Sequence, residues 1–119
     1  MALSLNIKAN DVSKVDIYHP ATKEKVGTLH IAGPDHHATK EWRREMLNRR
    51  QRRDYRENVE AESKEGFCKR IVGWEGVKDT ETGEEVPFNP DLLPGLSEQG
   101  WLLMQVTEAM GEDDFFFRE

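Results

Sequence analysis

The chain of 119 residues carries 17 basic and 23 acidic side chains, a net charge of −6, and only 36% apolar residues. Such a composition supports one domain with a small core, excludes a large multidomain enzyme, and leaves stability to lean on oligomerisation or a partner. The longest apolar run, Trp101 to Met104, falls far short of the roughly 20 residues that cross a bilayer, so no membrane-spanning segment is expected.

Residues 1–9 alternate Leu3, Leu5 and Ile7 with polar neighbours and lack the basic start and apolar run of a signal peptide, and the single cysteine, Cys68, cannot close an internal disulfide. A reducing cytoplasm is the expected setting. The two-residue alternation resumes at Val15 and Ile17 and again at Leu29 and Ile31, across the proline-led break His19 to Lys25. It predicts a β-hairpin over residues 14–31. Gly33-Pro34-Asp35 then ends the strand and offers a helix cap.

From Thr39 to Val72 the chain is proline-free and rich in Glu, Arg, Lys, Gln and Met, which predicts one long charged helix with a kink near Ser63 and Gly66 and a stop at Gly73. Its apolar stripe is narrow: Trp42 and Met46 are four apart, as are Leu47, Gln51, Tyr55 and Val59. Phe67, Cys68, Ile71 and Val72 form a denser group expected to dock on the hairpin. Trp74 to Phe88 flanks the polar Thr80-Glu81-Thr82-Gly83 and reads as a short hairpin or extended loop. Asn89 followed by Pro90 is an N-cap signature for a short turn that Pro94-Gly95 is expected to stop. Trp101, Leu102, Val106, Ala109 and Met110 share one face of a final amphipathic helix, Ser97 to Met110. The expected fold is α+β: a single small domain over residues 1–111, then an acidic, phenylalanine-rich tail over residues 112–119.

Chemistry-bearing patterns are sparse. Asp35, His36 and His37 are adjacent rather than spaced three or four apart, the wrong spacing for ligands on one helix face. Phosphate loops, dinucleotide fingerprints, nucleophile elbows and H-E-x-x-H motifs are missing from the sequence. Burial is expected to keep the Cys68 thiol inert. These readings predict a binding protein, with no enzyme activity and neither metal nor cofactor.

Charge is distributed unevenly. Residues 1–70 hold 15 basic and 11 acidic side chains, residues 71–119 hold 2 and 12, and seven arginines crowd between positions 43 and 56 against Glu45 and Asp54. A basic helix is a nucleic-acid candidate, but the whole chain is acidic and the stretch lacks interleaved stacking aromatics. An electrostatic docking face for the acidic C-terminal segment of a neighbouring copy, or for an acidic partner, ranks above it. Trp42, Trp74 and Trp101 are core or interface anchors. Phe115, Phe116 and Phe117, next to Glu112, Asp113 and Asp114, either fold back onto the domain or insert into another molecule.

The segments "DIYHPATKEKVGTLHIAG", "EWRREMLNRRQRRDYRENVEAE", "CKRIVGWEGVKDTETGEEVPFNPDLL" and "GWLLMQVTEAMGEDDFFF", in this order, resemble small tail assembly proteins of long-tailed bacteriophages, above all the tail assembly chaperones. The most specific part is Ile71 to Val77, followed by a turn, by Pro87-Phe88-Asn89 opening a helix, and by the Phe-bearing end. The resemblance implies a non-enzymatic, oligomer-forming α+β or mainly helical protein of the host bacterial cytoplasm. Such a protein would bind the phage tape-measure protein, with the tail tube protein as a further candidate, and cover its sticky helical stripes before tail assembly. Two alternatives stand beside it: a structural tail component (terminator or completion protein) retained in the virion, and a phage nucleic-acid binder using the Arg43 to Arg56 helix. The residues expected to meet a partner are Arg43, Arg49, Arg50, Arg53, Trp101, Phe115, Phe116 and Phe117.

Overall fold

The structure, a computed structural model, describes residues 10–111. The alternating segment of Leu3, Leu5 and Ile7 and the acidic tail therefore lie outside the described residues. Two antiparallel strands, β1 (Val12–Tyr18) and β2 (Lys25–Ala32), form the predicted hairpin. His19 builds the connection: its Nδ1 accepts the backbone N–H groups of Ala21 (3.1 Å) and Thr22 (3.2 Å), while Lys23 takes a left-handed φ of 63°. Alternation works as expected, with Ile17, Leu29 and Ile31 buried on one face. On the other face Asp16 accepts from the Thr28 hydroxyl (2.9 Å) and pairs with Lys25 (3.3 Å). At the end of β2, a Cβ on Gly33 would lie 2.0 Å from the Asn10 carbonyl oxygen, so only glycine fits there.

A third strand, β3 (Ile71–Glu75), pairs antiparallel with β2 and completes the order β1-β2-β3. This corrects the expected helix through Val72. The helix ends at Arg70, and the β-branched pair Ile71-Val72 enters the sheet, where β2 supplies its backbone partners. Docking of Phe67 and Ile71 on the hairpin does occur, since both belong to one core with Ile17, Leu29, Ile31, Trp74, Leu93, Leu102 and Val106.

The long charged helix is two helices, α1 (His37–Arg50) and α2 (Val59–Arg70). The break falls at residues 51–58, not near Ser63 and Gly66. Asn58 causes the restart: its Oδ1 accepts the Ala61 N–H (3.1 Å), and Glu60 and Glu62 suit the positive end of the new helix. Helix α1 is capped by His36, whose Nδ1 accepts the Ala38 N–H at 3.0 Å, rather than by Asp35.

Beyond β3 the chain makes the short hairpin-like excursion expected of residues 74–88, closed by a Lys78–Glu85 bridge. Trp74 holds it down, its indole N–H donating to the Val86 carbonyl (2.8 Å) and its ring meeting Phe88 edge-on at 4.8 Å. Asn89 caps a 3-10 turn over Pro90–Leu92 through the Asp91 N–H. Pro94 does not stop the chain there. It occupies the first turn of α3 (Leu93–Ser97), where its missing N–H costs nothing. Helix α4 (Gly100–Gly111) buries Leu102 and Val106 with Ala109 and Met110 packed beside them, the face that the spacing predicts.

Candidate partner-binding groove

The last turn of α4 comes down beside α1 and α2, and the three helices enclose a groove of about 410 Å³. Its floor is apolar. Trp42 and Met46, one turn apart on α1, face Phe67 of α2 and Met110 of α4, with Val59 at the rim. Val59 is 65% exposed, large for a valine in a domain with so few aliphatic residues. Gly66 sits within α2 and makes the close approach possible. A Cβ there would come 3.1 Å from the Trp42 indole nitrogen, so this glycine accommodates a neighbouring ring and does not kink its helix.

Three arginines line the groove, Arg43 and Arg50 from α1 and Arg70 from α2, against Glu57 and Glu62. Arg43 and Arg50 are exposed. Arg43 donates to the Pro34 carbonyl (3.4 Å). Arg70 grips the Ala32 carbonyl with Nε (3.3 Å) and Nη2 (2.8 Å), and its pKa is pushed below the ordinary arginine value, first by burial and then by the charge of Arg43. Glu62 accepts a short hydrogen bond from the Tyr55 hydroxyl, which raises the pKa of that phenol, with burial adding to it.

Arg49, another expected contact residue, is occupied within the fold. Its guanidinium bridges Glu45 (2.6 Å) and Glu65 (2.8 Å) and lies 5.5 Å from the Trp42 ring centroid, so it staples α1 to α2. Both carboxylates raise its pKa, Glu65 most. Arg53 lies exposed in the 51–58 connection and does not line the groove. Trp101 belongs to a different, apolar cleft of about 90 Å³ with Ile17, Leu29, Val77 and Leu96. Phe115, Phe116 and Phe117 fall outside the described residues. Of the expected contact residues, the fold thus gathers Arg43 and Arg50.

The convergence of Arg70 and Met110 on Trp42 was not legible from spacing, because these residues come from three separate helices. The four-residue spacing of Trp42 and Met46 was the one available signal, and it read only as a narrow stripe.

Cys68 is not set up as a nucleophile. The Cys68 thiol is half-buried, and burial raises its pKa, so it stays protonated near neutral pH. Among the described residues no group of three or more His, Cys, Asp or Glu side chains is placed to hold a metal ion, and no helix is long and apolar enough to cross a membrane. What the groove offers is an apolar floor with a mixed-charge lining, in which Arg43, Arg50 and Arg70 stand beside Glu57 and Glu62.

No family model, curated protein or solved structure matches this chain.

Proposed function

We propose that this chain is a tail assembly chaperone of a long-tailed bacteriophage, binding the tape-measure protein stoichiometrically in the host cytoplasm and making or breaking no bond. One observation carries the reading furthest: Trp42, Met46, Val59 and Met110 line an open groove edged by Arg43 and Arg50. A helical client with an apolar stripe flanked by carboxylates would bury the stripe on the floor and place its acids at the rim. The resemblance in segment order supports the same assignment.

The nucleic-acid reading draws less support. Arg44, Arg49 and Arg52 share their surface with Glu41 and Glu45, and carboxylates among the arginines weaken any attraction to phosphates.

Co-expression with the tape-measure protein tests the proposal. The expected result is a soluble tape-measure chain that co-elutes with this protein, and less of it when Arg43 and Arg50 become Glu. Unchanged tape-measure solubility overturns the chaperone role. Presence of the chain in purified virions assigns it instead to the structural components of the tail.

A further inference from the structure

The groove has a candidate occupant in the chain itself. Met110 and Thr107 of α4 are part of its wall, and α4 ends at Gly111. Residues 112–119 read Glu-Asp-Asp-Phe-Phe-Phe-Arg-Glu, three carboxylates followed by three large apolar rings. Eight residues reach at most about 28 Å when extended, enough to span a cleft whose wall they leave directly.

Electrostatics favour the same placement. Helices α1 and α2 each end on basic residues, Arg49 and Arg50 and Lys69 and Arg70, which complement the negative end of a helix. Helix α4 has no basic residue in its last turn, yet Glu112, Asp113 and Asp114 follow it at once. Like charge thus follows the negative helix end in sequence, and cations on another element would relieve it. Arg43 and Arg50 across the groove are the cations placed to supply it.

We propose that the groove between α1, α2 and α4 is the docking site for the chain's own residues 112–117, the carboxylates meeting Arg43 and Arg50 and the phenylalanines covering Trp42, Met46 and Met110. The segment is then an intramolecular ligand that covers this groove until a competing partner displaces it. Short connection gives it an effective concentration that a free partner must exceed. This proposal stands whether or not the client is a tape-measure protein.

A nitroxide on the full chain provides the test, attached to Glu119→Cys in a Cys68→Ser background. The expected result is paramagnetic broadening of the amides of Met46, Arg50 and Val59, which are remote in sequence from the label. Broadening should be lost in 1 M salt, in the Arg43→Glu/Arg50→Glu variant, and when Phe115, Phe116 and Phe117 are all replaced by Ser. The triple replacement alters none of the described residues, so it reads out docking even if the arginine variant folds poorly. Broadening that is uniform, or confined to another face, overturns the proposal. So does broadening of an isotope-labelled, nitroxide-free copy mixed with an unlabelled, nitroxide-bearing one, which would place the segment in a second copy.

Discussion

The Arg70 guanidinium closes on the Ala32 carbonyl through two nitrogens, at 3.3 and 2.8 Å, and the same oxygen accepts the Thr39 hydroxyl at 3.4 Å. One carbonyl at the end of β2 thereby ties the start of α1 and the end of α2 to the sheet. Thr39 is 1% exposed, so the junction is nearly dry on that side.

Replacing Arg70 with Ala leaves this carbonyl short of its charged donor and is expected to cost about 2 kcal/mol, the scale of a hydrogen bond to a charged group. Arg70→Lys should recover only part, because an ammonium cannot match the two-pronged contact. Urea denaturation of both variants measures the difference.

Trp74 joins the core to residues 76–88 through its bond to Val86. Trp74→Phe removes that donor and is expected to cost about 1 to 2 kcal/mol. Trp74→Ala also empties a buried site and should cost roughly 3 to 5 kcal/mol, enough to unfold a marginal domain. An unchanged thermal midpoint for Trp74→Ala would contradict the burial seen here.

The arginines separate into different roles. Arg49→Ala should lower the thermal midpoint and perturb Trp42 fluorescence, since it removes the staple to Glu45 and Glu65. Arg53→Ala should change neither. Arg43→Ala and Arg50→Ala should weaken partner binding while lowering the midpoint less than Arg49→Ala does, measured by pull-down alongside the melt.

Gly33→Ala places a methyl group against the Asn10 backbone, where a Cβ would stand 2.0 Å from oxygen. Relief requires a backbone shift, and overpacking of this kind costs roughly 1 to 3 kcal/mol. Chemical denaturation reads the loss.

Cys68 supplies a pH dependence. Its folded pKa lies above the unfolded value because burial disfavours the thiolate. The unfolded chain therefore releases the proton first, and the associated stability is present below the unfolded thiol pKa and declines as pH rises through it. Urea midpoints between pH 7 and 10 should fall more steeply for the natural chain than for Cys68→Ser, and alkylation of the folded thiol should be slower than that of the unfolded chain.

Local periodicity was enough to identify the α+β class, the hairpin of Val15, Ile17, Leu29 and Ile31, the Asn89-Pro90 turn, and the buried face of Leu102 and Val106. Each is governed by neighbours two to four residues away. The fate of Ile71 and Val72 was not, because the β-branching of two residues is a weak signal after a long helical run, and pairing with β2 decides for the strand. Likewise, the sequence alone sets the number of arginines and their crowding between positions 43 and 56. Tertiary packing alone decides that Arg49 is neutralised by Glu65 from the next helix while Arg43, Arg50 and Arg70 line one groove, since charges distant in sequence choose their partners only after the helices have met.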